Sequence, residues 1–115
     1  LQTVARRLRQ SIRKSDLAAR LGGDEFVIVF PDTDTDQAVL RLDSLRQEVA
    51  GLRIHTARGA FSVTMSVGVA SFPGDGSTSP EVLAAADARA FQAKHLGKNR
   101  VVGPPPTRVP SLSVL

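Results

Sequence analysis

Phe26-Val27-Ile28-Val29-Phe30 is apolar at every position and is closed by Pro31. A strand apolar on both faces has to be buried on both, as inside a sheet covered by helices on each side. These five residues therefore commit the chain to a mixed helix and sheet architecture. Residues 16–21 form a second strand-like stretch, and Gly22 and Gly23 stand between the two. Glycines in a short connection supply the positive φ of a tight turn, so 16–21 and 25–30 are predicted to pair as a β-hairpin. Directly after the glycines come two adjacent carboxylates, Asp24 and Glu25. Backbone without Cβ admits a ligand closely, and paired carboxylates are hard oxygen donors suited to Mg²⁺. Such a tip suits a nucleotide phosphate carried on a metal ion. Gly-Gly-Asp alone suits equally a surface turn that is acidic only for solubility.

Helical spacing governs the segments on either side. Leu1, Val4, Ala5, Leu8 and Ile12 recur on one face of a predicted helix over 1–14, with Arg6, Arg9 and Arg13 facing away. Asp32, Asp34 and Asp36 mimic the opening of a calcium loop, and Asp43 falls at its twelfth position. Gln37, however, stands where the sharp turn of such a loop requires glycine. These acids are better explained as a helix cap and first turn, where they complement the helix dipole. The helix they open is predicted to run to about residue 50, burying Ala38, Leu42, Leu45 and Val49 and ending at Gly51.

Residues 52–57 suit a short strand, and 61–70 alternate large apolar with small residues, the period-two pattern of a longer one. Its small face would let a helix approach closely. Thr78 or Ser79 caps a predicted alanine-rich helix over 80–96 with Pro80 in its first turn, and Gly97 ends it. A final short strand covers 100–102. Pro104-Pro105-Pro106 then breaks regular structure, so 103–115 is expected to be a disordered tail. One further strand at the front would complete the β-α-β-β-α-β order of ferredoxin-like folds. The expected fold is thus α+β, a core over 1–102 with a central antiparallel or mixed sheet, flanking helices and its first strand lacking.

With 115 residues the chain is one domain at most. It contains no cysteine, which excludes disulfides and thiolate metal sites and is compatible with a cytoplasmic location. No apolar run approaches the roughly 18 residues of a membrane-spanning segment. The net charge of +4 comes mainly from arginines near the start. A solvated helix face explains them first, attraction to nucleotide phosphates second, and polymeric nucleic acid a distant third. All five aromatic residues are Phe, and they lack the arrangement of a base-stacking platform. His95 is expected to be exposed, and His55 has no partner that suggests a role.

Gly22-Gly23-Asp24-Glu25-Phe26 matches, residue for residue, the signature of the GGDEF family, the diguanylate cyclases. Further resemblances follow in order: Arg13-Lys14-Ser15-Asp16 upstream, then Ser66-Val67-Gly68-Val69-Ala70, Ala86-Asp87 with Ala93-Lys94, and Gly97-Lys98-Asn99-Arg100-Val101. The resemblance covers about residues 1–102. It implies a nucleotidyl-cyclase-type core that condenses two GTP molecules into cyclic di-GMP with Mg²⁺ or Mn²⁺, releasing two pyrophosphates. By the same resemblance Gly22 and Gly23 lie against GTP, Asp24 is a metal ligand, and Glu25 is the carboxylate nearest the reacting 3′-hydroxyl and a further metal ligand. Lys94 and Lys98, four apart on or just beyond the last long helix and so expected on one face, would grip the β- and γ-phosphates. Arg13 and Asp16 match an Arg-x-x-Asp inhibitory site, where cyclic di-GMP acts as product and inhibitor.

Several positions depart from the family pattern. Lys98 stands where arginine is common, which exchanges a bidentate grip for a point charge. The family's further inhibitory arginine aligns with Ser44, with Arg41 and Arg46 nearby. Phe91 replaces a usual Tyr, and Arg89-Ala90 a usual Ala-Leu pair. The family's first strand, with its metal motif, and the following residues that contact guanine have no counterpart, so the chain is expected to be a GGDEF domain without its N-terminal third and inactive by itself. An unpaired sheet edge would favour a homodimer. A GGDEF module that binds cyclic di-GMP or GTP without turnover is the alternative.

Overall fold

In the computed structural model, residues 2–22 and 25–105 are described. Three helices and six strands alternate through them. They are α1 (Gln2–Ser11), β1 (Leu17–Gly22), β2 (Glu25–Val29), α2 (Thr35–Ala50), β3 (Ile54–Thr56), β4 (Gly59–Phe61), β5 (Ser66–Gly68), α3 (Ser79–His95) and β6 (Arg100–Val102). This is the expected α+β class.

The local signals hold. Asp34 caps α2 by accepting from the Gln37 amide at 3.0 Å, and Thr78 caps α3 by accepting from the Glu81 amide. Each cap satisfies one backbone donor that a helix start leaves open. Ala38, Leu42, Leu45 and Val49 are the buried stripe of α2, as their spacing requires. With Val4 and Leu8 of α1, Ile54 and Val69 they form the core, against which Phe26, Ile28 and Phe30 pack.

The strands pair as three two-stranded ladders. β1 and β2 are antiparallel, from Leu17 opposite Val29 to Gly22 opposite Glu25, with a register shift between Arg20 and Gly22. β3 and β4 form a second hairpin, whereas β5 and β6 run parallel, Ser66 opposite Arg100. α3 lies on this parallel pair. A side chain on Gly68 would run into the Ala86 carbonyl and the Ala90 amide, so helix and strand touch backbone to backbone there. The small face read from the alternation does that work.

Three expectations need correction. The strand over 61–70 is not continuous: its start belongs to β4, residues 62–65 are irregular, and only Ser66–Gly68 joins β6. Alternation specifies which face a strand would bury, but a ladder also requires a neighbour with free backbone groups. The first helix stops at Ser11 instead of 14, because residues 13–16 close a turn in which the Asp16 amide donates to the Arg13 carbonyl at 3.0 Å. β2 packs on the core through one face only, that of Phe26 and Ile28, and is not enclosed on both. Val29 and its cross-strand partner Leu17 are 52% and 68% exposed, since among the described residues no helix covers that side. Gly103, Pro104 and Pro105 have no regular structure, and the rest of the expected tail, 106–115, lies outside the described residues.

Candidate functional site

The hairpin brings Gly22 opposite Glu25, which leaves a two-residue connection at the tip. Those two residues, Gly23 and Asp24, lie outside the described residues. Glu25 is exposed at the start of β2. Its carboxylate has the right chemistry for a divalent cation, but one exposed carboxylate does not hold an ion. Among the described residues no group of three or more His, Asp or Glu side chains is placed to do so either. The described residues therefore do not by themselves fit a Mg²⁺ or Mn²⁺ ion.

Lys94 and Lys98 stand at the end of α3, but not as successive turns of one helix. Lys94 is in the last turn, where a cation complements the helix dipole. Leu96 caps the helix, and the Lys98 amide closes back on the Ala93 carbonyl at 3.0 Å. Gly97, Lys98 and Asn99 then follow with φ of 118°, 63° and 48°. Lys98 thus lies just beyond the helix, after the Gly97 that ends it. Both lysines are exposed, and among the described residues neither has an ion-pair partner or an ion pair to Glu25. His95 between them stacks on Phe91 with ring centroids 4.2 Å apart, and its Nδ1 lies 3.2 Å from the Phe91 carbonyl oxygen. It is exposed as expected.

Arg13 and Asp16 are brought together, though not as two outward-facing groups. The Arg13 side chain is exposed, and its backbone amide donates to Asp16 Oδ2 at 2.8 Å. The same oxygen accepts from Arg41 Nη2 of α2 at 3.0 Å. Only 1% of the Asp16 side chain is exposed. The Arg13 amide first, then the Arg41 guanidinium, hold the Asp16 carboxyl below the usual carboxylate range, against an opposing effect of burial. Arg41 also lies over the Phe30 ring, 4.5 Å from its centroid, and its Nη1 is buried without a hydrogen-bond partner among the described residues. Next to it a groove of about 450 Å³ opens between α1 and α2, lined by Arg7, Gln10, Ser11, Arg41, Ser44 and Glu48.

Arg41 and Arg46 stood out in the sequence only as neighbours of Ser44. The structure gives each a long-range partner: Asp16 for Arg41, and Asn99 for Arg46 at 2.9 Å. The available signal was position. Arg41 stands three residues after buried Ala38 and beside Leu42, where helical spacing turns a side chain toward the core.

The family model described as "Diguanylate cyclase, GGDEF domain" matches residues 1–100. The response regulator PleD of Caulobacter vibrioides is 39% identical over 105 residues, covering 90% of this chain and 23% of that protein. Diguanylate cyclase DgcP of Pseudomonas aeruginosa is 33% identical over 101 residues, 88% of this chain and 15% of that protein. The chain thus spans less than a quarter of the length of either relative. Among solved structures, the GGDEF domain of DgcB from Caulobacter crescentus in complex with c-di-GMP superposes with a TM-score of 0.79. It is 28% identical, with 87% of this chain and 60% of that chain covered. The hairpin signature, the fold around it and these matches have one explanation: the chain belongs to the GGDEF domain family of diguanylate cyclases.

Proposed function

We propose that this chain forms the nucleotide-handling part of a diguanylate cyclase, which condenses two GTP molecules into cyclic di-GMP. The observation that carries the reading is the hairpin tip, where Gly22 faces exposed Glu25 across a Gly23-Asp24 connection. Backbone free of Cβ at such a tip lets a triphosphate approach, and an exposed carboxylate such as Glu25 has the chemistry to take a hydroxyl proton. In each half-reaction the 3′-oxygen of one GTP forms a bond to the α-phosphorus of the other. The bond to pyrophosphate breaks, and the hydroxyl proton passes to Glu25 or to solvent. Lys94 and Lys98 neutralise charge on the β- and γ-phosphates, which suits their exposure and their lack of ion-pair partners among the described residues.

A divalent cation, Mg²⁺ or Mn²⁺, would supply further charge neutralisation when bound. Asp24 and Glu25 are its candidate ligands, and the site needs more donors than the described residues provide. Turnover by this chain alone is therefore not expected. Because the reaction joins two nucleotides, two copies are required to face one another, and a homodimer is part of the proposal. Cyclic di-GMP is proposed to bind at Arg13 as product and inhibitor. Asp16 can take part only after exchanging Arg41 for the guanine donors.

Binding of cyclic di-GMP or GTP without turnover is the alternative. Pyrophosphate release from GTP by the full-length protein, compared with Asp24→Ala and Glu25→Ala, decides between the two. Both substitutions should abolish release while the folded state persists. Release at the unaltered rate in either variant refutes the assigned roles, and no release from the unaltered protein favours the binding module.

A further inference from the structure

We infer that Arg46 is a positioning residue that holds Lys98 in place for nucleotide phosphate. The inference rests on the proposed phosphate role of Lys98, and the test below separates the two.

The backbone after α3 runs through three successive positive φ angles, and only the first belongs to glycine. At Lys98 and, less strongly, at Asn99 the Cβ crowds the following carbonyl, so other contacts help to impose the conformation. Two sets of contacts do so. Within the segment, the Lys98 amide donates to the Ala93 carbonyl and Arg100 Nε donates to the Lys98 carbonyl at 3.1 Å. From outside, Arg46 of α2 reaches across with Nη1, donating to Asn99 Oδ1 at 2.9 Å and toward the Asn99 carbonyl at 3.4 Å.

Arg46 is itself held. Its Nε donates to Asp43 Oδ1 at 2.8 Å, and Gln47 Nε2 occupies the other Asp43 oxygen at 3.1 Å. A guanidinium fixed at Nε presents its remaining N–H groups in one plane and at set angles, which a lysine ammonium cannot do. The carbonyls of Lys98 and Asn99 are thus both engaged by arginine side chains, while the Lys98 amine is left exposed and unpaired among the described residues. A cation meant only for solubility needs no fixed backbone. A cation that must meet a phosphate oxygen at a set place gains from one, because less freedom is lost on binding.

The test is steady-state kinetics of pyrophosphate release and calorimetric binding of GTP and GMP, in the full-length protein with Mg²⁺. Arg46→Ala should raise KM for GTP and weaken GTP binding about 5- to 10-fold, the effect of one charge-assisted contact, with GMP affinity changed less than about twofold. Adding Asn99→Gly to that variant should restore most of the loss, because glycine adopts the left-handed turn unaided. In a Lys98→Ala background, Arg46→Ala should have no further effect on GTP. If Lys98→Ala leaves GTP binding unchanged, the phosphate reading of Lys98 fails. If Lys98→Ala weakens GTP but Arg46→Ala does not, the phosphate reading stands and positioning by Arg46 is refuted. Equal losses for GTP and GMP, or a loss that persists without Lys98, would assign Arg46 to the fold alone and overturn the proposal.

Discussion

Arg89→Ala tests the internal clamp between α3 and the loop that precedes it. Arg89 Nη2 donates to Asp75 Oδ1 at 2.8 Å, and Nη1 donates to Asp75 Oδ2 and to the Val69 carbonyl, both at 2.9 Å. The Ser71 amide donates to the same Asp75 Oδ2, also at 2.9 Å. Side-chain exposures are 17% for Arg89 and 14% for Asp75, so the pair is neither dry nor freely solvated. The Arg89 guanidinium first, and the Ser71 amide second, pull the Asp75 pKa from 3.8 down to about 2, against a smaller opposing effect of burial. A depression of that size corresponds to a ceiling of about 2.5 kcal/mol. Screening through the exposed edge reduces it to about 1–2 kcal/mol.

The pH dependence follows from the direction of the shift. A carboxyl whose folded pKa is depressed stabilises fully above its unfolded value, near 3.8, and loses that contribution as pH falls toward 2. About half of it should remain at pH 3 and little at pH 2. Urea unfolding of the unaltered chain, Arg89→Ala, Asp75→Asn and the double variant, at pH 7 and pH 3, measures both quantities. Arg89→Ala should cost about 2–3 kcal/mol at pH 7, since it also frees the Val69 carbonyl, and it should flatten the acid dependence. A coupling energy below about 0.5 kcal/mol in the cycle, or an unchanged acid slope in Arg89→Ala, would show that the clamp contributes no stability.

Two further outcomes are expected. Gly68→Ala forces β5 off the backbone of α3 at Ala86 and Ala90, and should lower stability by about 2–3 kcal/mol in thermal or urea unfolding, as overpacked sites do; an unchanged Tm would mean that α3 is not seated as described. Arg13→Ala should weaken cyclic di-GMP binding about tenfold in titration calorimetry while GTP affinity stays level, by analogy with arginine–guanine pairs, and equal losses for both ligands would remove Arg13 from a product site.

What was legible in the chain was local in origin. The α2 stripe, the Asp34 and Thr78 caps and the Gly22–Glu25 hairpin depend on residues within a turn or two of one another, so spacing alone determines them. The GGDEF signature was legible for the same reason, since its residues are contiguous. The other two ladders were not, because alternation over 61–70 states which side chains would be buried and says nothing of which strand is free to pair. The arginine partnerships were out of reach as well. Arg41 meets Asp16 across 25 positions and Arg46 meets Asn99 across 53, and each bond exists only because α2 is packed where both partners converge. A guanidinium reads in sequence as a solvated charge. Whether it instead occupies a carboxylate, or fixes the turn that carries Lys98, is decided by the packing of helices, since only the folded chain brings those groups within hydrogen-bonding reach.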